Sequence, residues 1–566
     1  MRSTFFGLEI GRTGLMVSQK GLDVSGHNAA NVDTIGYTRQ RLITTAYEPY
    51  SVLHQFRPVE NGLVGAGARV MILDQVRSKY LDRQLRSEVT LQQYWTNRTE
   101  ALTYVETLFE ANDSSSVTNA LTAFFSAMNT ETLEANDGEQ RIVLQQAGRT
   151  LASAFNLLRE RLVELQQNQN NSIPLLTKRI NEIADSLATL NKNIYAYELN
   201  GELALDLRDK RNLLLDELSE YIDIEYEESA DNKMTVWLGG GKDDDNMLIS
   251  HLHIRRLGTE DLDGNPLTRT DPITGVEVYT PRWVEEVIKD INGRDIRVKA
   301  INPDPVGTDD GIELAMRNGK LKSYIDMAWS SEKTLNPGIP YFIMQLDNLA
   351  RSLVQEMNAI HSAGYTHPAA TGGSQTGINF FWDADVDTNG DGVIDINDVN
   401  AGNLRLSDEV NEDYYMIAAS DRQVLNPGDP GYDGTVTDVG NQENIKAMYR
   451  LRLSNILQAL GVQQYNPDGT PNGTADISIG NFFSFMSALT TEVASVLKHS
   501  KEVEAVENIQ VLNAENLRIS VSGVSLDEEM TNLLKYQHAY AGSSRVITTM
   551  DEALETLINK MGLVGR

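Results

Sequence analysis

Between Asp387 and Asp398 the chain spaces oxygen-bearing side chains at intervals suited to a hard cation. With Asp387 as position 1, Asn389 falls at 3, Asp391 at 5, Asp395 at 9 and Asp398 at 12, and the Val393 carbonyl is available at 7. Gly392 at position 6 permits a sharp turn, and Ile394 at position 8 can anchor the loop to a core. Carboxylates this close repel one another, and a divalent ion offsets the repulsion. The spacing predicts Ca2+ as a structural cofactor. An acidic, solvated loop is the alternative, since residues 381–440 hold 14 acids and 2 bases; glycine and isoleucine at the two required places favour the ion.

The pattern resembles a loop of the EF-hand or dockerin type, although Phe380-Phe381-Trp382 before it and Gly402 after it argue against two framing helices. Asp398 is shorter than the glutamate usual at position 12, which predicts modest affinity. No other constellation points to chemistry. There is no H-E-x-x-H and no G-x-S-x-G, and Gly239-Gly240-Gly241-Lys242 lacks the first glycine and the final Ser or Thr of a P-loop. Of eight histidines only His251 and His253 lie close, and two ligands do not make a metal site. With no cysteine, thiolate catalysis and zinc–thiolate sites are excluded. No catalytic residues are predicted, and the chain reads as a non-enzyme.

The elements that must position these residues follow from composition and proline placement. The chain has 566 residues, enough for about three or four domains. Its formal charge of −31 disfavours nucleic acid and anionic membranes. No apolar run reaches bilayer length, and the start Met1-Arg2-Ser3-Thr4-Phe5-Phe6-Gly7 carries no cleavable-signal pattern. Twelve of the 15 prolines lie between Pro266 and Pro471, and only Pro174 interrupts residues 59–265. Proline disfavours helix interiors. Helices are therefore expected at 4–33, 75–111, 115–130, 138–170, 173–199 and 205–222, then at 340–361, 442–461, 478–518 and 526–561. Residues 222–226 and 234–238 read as strands.

The chain ends carry the strongest periodicity. Leu8, Leu15 and Leu22 recur every seven residues, as do Ile10, Val17 and Val24 on a nearly opposite face. A helix apolar on two faces needs neighbours on both. At the other end Ser525 and Glu528 form a capping-box pattern. A seam follows, alternating by four and three, with Leu526, Met530, Leu533, Tyr540, Ile547, Leu554, Ile558 and Met561 as its apolar members. That is coiled-coil spacing. Ordinary packing in a bundle is the alternative; the two-faced N-terminal helix favours assembly between subunits through all fourteen residues.

Four segments carry a family resemblance. Asn28-Ala29-Ala30-Asn31-Val32-Asp33-Thr34-Ile35-Gly36-Tyr37-Thr38-Arg39 resembles the N-terminal signature of bacterial flagellar axial proteins, and Ser520 to Met530, followed by Tyr536-Gln537, resembles their C-terminal signature. Leu207 to Ser219, and Leu346-Asp347 through Asn358, His361 and Gly364, are similar to landmarks of the flagellar hook-associated protein 1 family. Residues 230–330 and 365–440 match no part of the pattern.

The expected fold class is α+β and multidomain, with helical terminal and core domains built from both chain ends and β-rich outer domains inserted between them. Residues 1–60 and 520–566 are assigned to terminal inner-tube helices. Residues 61–220 and 442–519 form a helical bundle with a 333–364 helix near it, residues 221–332 a β-containing outer domain, and residues 365–441 an acidic outer insertion with the calcium-type loop. The resemblance implies a structural subunit of a ring at the hook–filament junction. It further implies self-assembly, contact with hook protein and hook-associated protein 3, and a cytoplasmic export chaperone on the C-terminal segment. Type III export without a cleaved signal would then give an extracellular, flagellar location. Hook-associated protein 3, flagellin, or a secreted calcium-dependent hydrolase or carbohydrate-binding protein are the alternatives.

Overall fold

The computed structural model describes residues 5–47, 65–110, 116–129, 138–229, 232–239, 241–242, 244–260, 264–289, 295–300, 316–329, 336–382, 396–423, 425, 440–454, 461–465, 471–476 and 480–560. Helix α1 (Phe6–Ala30) leads into strands β1 (Gln40–Ala46) and β2 (Ala68–Gln75), which pair antiparallel. Helices α2 (Lys79–Phe109), α3 (Val117–Ala127), α4 (Gly138–Glu198) and α5 (Leu205–Tyr221) follow. The helix expected from residue 75 thus starts at Lys79, where Ser78 Oγ accepts from Leu81 N, because residues 68–75 belong to the hairpin.

Helix α4 holds the molecule together. It runs 61 residues, or about 90 Å at 1.5 Å per residue. Two helices split near Pro174 were expected; instead the helix passes through that proline. Proline leaves the carbonyl of Asn170 without its helical donor and costs about 3 kcal/mol. Burial on both sides offsets that cost. Leu144, Leu151, Phe155 and Leu162 lie in one core, and Ile173, Ile180, Ile183 and Leu187 in a second.

The first core is the bundle. There α4 packs with α2, α3 and helix α7 (Ile339–Ala363), and helix α10 (Phe482–Ser522) packs on those three, the shared core including Leu102, Phe124, Phe342, Leu349 and Leu489. The second core is a six-stranded antiparallel sheet laid on the C-terminal half of α4 and on α5. Its strands are β3 (Ile224–Glu228), β4 (Met234–Leu238), β5 (Met247–Ser250), β6 (His253–Gly258), β9 (Arg282–Lys289) and β10 (Asp295–Ala300), in the order β10-β9-β6-β5-β4-β3. Strands β7 (Thr268–Thr270) and β8 (Glu277–Tyr279) form a separate hairpin against the middle of α4. Asn170 holds it, accepting from Tyr279 N at 2.8 Å and donating to Glu277 O at 2.7 Å. Asn181 does the same for Leu257, at 3.0 and 2.7 Å. A helix α6 (Lys320–Trp329), not anticipated from the sequence, bridges α2 and α4.

Residues 365–441 are expected as an outer insertion, but several side chains of their described parts join the bundle core. Phe380, Phe381, Leu404, Leu406, Val410 and Ile417 are buried with the bundle residues. The polar residues of the α7 landmark explain the docking. Asn358 accepts from the backbone N–H groups of Phe380 and Phe381 at 3.0 and 2.9 Å and donates to Phe381 O. Asp347 takes Arg159 at 3.0 Å and Ala401 N at 2.8 Å. His361 is fully buried; its Nδ1 bonds Ile378 O at 2.7 Å and its Nε2 accepts from Ala418 N at 2.9 Å. Burial holds that imidazole at about 4, well below its usual range, so it is neutral at pH 7. At Gly364 an added Cβ would lie 2.1 Å from Asn444 Nδ2, and only glycine lets helix α9 (Glu443–Arg450) approach. Helix α8 (Asp408–Glu412) is one short turn of this segment, capped by Ser407.

The helix expected over 442–461 ends at Arg450, and Gly461–Tyr465 (β11) pairs with Pro471–Asp476 (β12) instead. Helix α11 (Leu526–Lys560) closes the described chain.

Candidate functional site

The two chain ends meet. Helices α1 and α11 pack along one another, and the contact surface of α1 is a row of small residues: Gly7, Gly11, Gly14, Ser18, Gly21 and Ser25. A Cβ on Gly7 would lie 2.5 Å from Met550, on Gly11 2.7 Å from Ile547, on Gly14 2.7 Å from Ser543 Oγ, and on Gly21 2.5 Å from Tyr536. The row alternates by four and three, as does the apolar seam read from the sequence, but it is a different row. Small residues let the two helix backbones approach closely, and α11 supplies the bulk.

This moves several expected contacts. Leu8, Leu15 and Leu22 are half-exposed, as are Ile10 and Val17, while Val24 is buried. Ile10 lies on the side of α1 that faces the hairpin, where Gly67 comes within contact of Ile10 and Thr13. On α11, Ile547 touches α1, and Leu533 and Leu554 are half-buried at heptad spacing from it. Tyr540 is more exposed, and Leu526, Met530 and Ile558 point outward, Met530 at 55% and Ile558 at 72% exposure. Met561 lies outside the described residues. The expected seam is thus shifted by one residue in alternate positions, to Glu529, Tyr536, Ser543 and Met550. Apolar counting missed these because the residues opposite Gly14 and Gly21 are a serine and a tyrosine, and Glu529 is held by Arg39. The capping box is half formed: Ser525 Oγ accepts from Glu528 N at 3.5 Å, but the Glu528 carboxylate turns to Arg39.

Beside this pair lies the segment Tyr37–Gln40, where three of the four family-like motifs converge. Asn28 at the end of α1 is buried and pairs with the backbone of Gln40 in both directions, at 2.9 and 3.0 Å; it also accepts from Tyr37 Oη at 2.7 Å. Gly36 takes φ +80°, which lets the chain reverse into that extended strand. Thr38 N donates to Asp209 at 3.0 Å and Arg39 N to Ser522 O at 3.0 Å. Arg39 reaches Glu529 at 2.8 Å and Glu528 at 2.6 Å. Glu529 is only 2% exposed, so Arg39 is what makes its burial tolerable. Burial pushes the Asp209 carboxyl up, and the Thr38 bonds oppose that rise.

The α5 motif extends the network into the bundle. Arg208 and Arg211 join Glu198 and Glu228, and Asp216 takes Arg86 at 2.7 Å and Arg518 at 2.6 Å. Burial pushes the Asp216 carboxyl up, but the two guanidinium groups outweigh it and hold the group below its ordinary range. Helices α2, α5 and α10 are thereby tied together at one carboxylate.

Of the calcium-type loop, Asp387, Asn389, Asp391, Val393 and Asp395 lie outside the described residues. Asp398 is fully buried in a short 3-10 turn, Ile396–Asp398. Among the described residues no cluster of three or more metal-ligating side chains occurs.

Comparison with known proteins agrees with this architecture. Residues 518–560, the end of α10 with α11, match the family described as flagellar basal body rod FlgEFG protein C-terminal. Residues 102–381 match the flagellar hook-associated protein FlgK helical domain. The chain is 26% identical over 570 residues to flagellar hook-associated protein 1 of Bacillus subtilis, covering all of both chains. It is 24% identical to that of Salmonella typhimurium over 97% of this chain and 98% of the relative. Its fold is similar to that of the flagellar hook junction protein FlgK from Burkholderia pseudomallei, with a TM-score of 0.51 at 13% identity over 78% of this chain and all of that one. The two family matches define a flagellar protein of the rod and hook-associated class. Within that class, the chain belongs to the flagellar hook-associated protein 1 family.

The glycine row makes a sharp prediction. Gly21→Leu collides with Tyr536 and should lower the Tm and expose α1 to proteolysis. Gly26→Ala, where nothing lies within 4 Å, should be neutral or add about 0.5–1 kcal/mol through helix propensity. Differential scanning calorimetry and limited digestion of the two variants measure the contrast.

Proposed function

We propose that this protein is a structural subunit of the flagellar hook–filament junction, assembling with copies of itself into a ring through its joined terminal helices. The support is an uncovered apolar surface. The outer side of α11 presents Leu526, Met530, Leu534, Val546, Leu557 and Ile558, and α10 presents Val506, Ile509, Leu512, Leu517 and Ile519. A run of this kind, continued over two successive helices, is what neighbouring subunits would cover. The hook protein on one side and hook-associated protein 3 on the other are the neighbours this reading requires. The clamp at Tyr37–Gln40 transmits load from the terminal helices to the bundle. The same apolar face is where an export chaperone would bind before the chain leaves the cell through the flagellar type III apparatus for its extracellular place.

The calcium loop enters this reading as a stiffener of the bundle surface. Its ends are anchored: Trp382 N donates to Arg405 O at 2.8 Å, and Asn403 Nδ2 donates to Asp398 O at 2.8 Å. A metal bound between two fixed ends would stabilise the fold by about 2.7 kcal/mol at 100 times Kd.

Cells lacking this protein should show hooks without attached filaments and flagellin in the medium by electron microscopy; normal filaments would contradict the assignment. Calcium should raise the Tm of the wild-type chain above its value in chelator, and an Asp387→Ala, Asp391→Ala double variant should melt alike in both. Equal wild-type melting curves would leave the loop an acidic turn.

A further inference from the structure

Between the N-terminal half of α2 and strand β3 lies a cleft of about 380 Å3. Arg83 and Arg86, three residues apart on α2, bring their guanidinium carbons to 5.6 and 4.5 Å from the centre of the Tyr226 ring. Both groups face one ring that attracts cations, yet they repel each other. Arg86 has a side chain only 3% exposed. Its Nε donates to Asp216 at 2.7 Å and its Nη2 to Asn212 at 3.2 Å, but its Nη1 is buried and has no acceptor among the described residues. Arg518 shares Asp216, so that carboxylate does not neutralise Arg86 alone. Arg83 makes one hydrogen bond, the 3.5 Å contact with Tyr226 O.

Arg317 and Lys242 complete the basic lining. Two lining carboxylates, Asp223 and Glu225, work against an anion. Burial pushes the Asp223 carboxyl up while Arg317 draws it down, and Lys242 pairs with Glu227 at 2.7 Å. Arg83, whose hydrogen bonding among the described residues is the long Tyr226 contact, and Arg317 line the cleft at exposed positions, together with the buried Arg86. An unsatisfied buried guanidinium donor is costly, and two adjacent guanidinium forks fit a ligand with two or more oxygens.

We propose that this cleft binds a small oxyanion, phosphate or carboxylate, held by the Arg83 and Arg317 guanidinium groups with the charge of the buried Arg86 beside them. The group would come from free anion or from an acidic side chain of another protein; the chemistry of recognition is shared. In a chain of net charge −31, a site of this kind is a local exception that any carboxylate-rich neighbour could use.

The test is titration of the full chain with inorganic phosphate, and separately with glutarate, with ionic strength held constant by sodium chloride, following heat of binding and Tm. Saturable binding of at least one of the two is expected, weakened at least about tenfold in an Arg83→Gln, Arg317→Gln double variant. Both positions are exposed, so the variant keeps its fold, and an unchanged melting curve without ligand verifies this. Phosphate binding assigns the site to free anion, and glutarate binding alone assigns it to a carboxylate side chain. No saturation by either ligand, or equal binding by the double variant, would overturn the proposal.

Discussion

The ion pair between Arg39 and the buried Glu529 spans 490 residues of sequence, and the architecture depends on it. Glu529 sits at the start of α11, and Arg39 immediately precedes β1 in the segment that leaves α1. Around that pair the Arg39 amide bonds the end of α10, the Thr38 amide bonds α5, and Asn28 locks the strand to α1. A charge as buried as Glu529 destabilises the fold by several kcal/mol without its partner, so the ends are ordered together or not at all.

A second device recurs through the molecule. Long helices are poor partners for extended chain, because their own backbone groups are already bonded. Here a buried or half-buried asparagine on the helix supplies one acceptor and one donor to neighbouring extended chain. Asn28 serves Gln40, Asn170 serves the β7–β8 hairpin, Asn181 serves β6 and Asn358 serves Phe380-Phe381. In α4 this lets one helix carry a bundle on one half and a sheet on the other, and it keeps the region around Pro174 occupied on its inner side.

Much of this was legible in the sequence. Proline placement separated helical ends from a strand-bearing middle, and the Asn28–Arg39, Leu207–Ser219 and Ser520–Met530 motifs are the ones that meet at the clamp. The rest was hidden for physical reasons. Pro174 signals a break only where tertiary burial does not offset its cost. The true row on α1 is made of glycine and serine, which an apolar count ignores, and its partners on α11 include Ser543 and Tyr536. Residues 365–420 look like an acidic exterior because their polar side chains are many, yet Phe380, Phe381 and Leu406 send the segment into the core. Helix α6 is short and follows a proline-rich stretch, and its pattern gave no lead.

The central claim is that α1 and α11 of one chain pair through the small-residue row. The chain contains no cysteine, so a single engineered pair reports on it cleanly. A Cβ on Gly14 would lie 3.5 Å from that of Ser543, at the near end of the range a disulfide spans. Oxidation of a Gly14→Cys, Ser543→Cys variant should give a crosslink within the monomer, seen as a mobility shift on a non-reducing gel and a mass lower by two hydrogens. Free thiols under the same oxidation, or a crosslink that forms only between chains, would contradict the account.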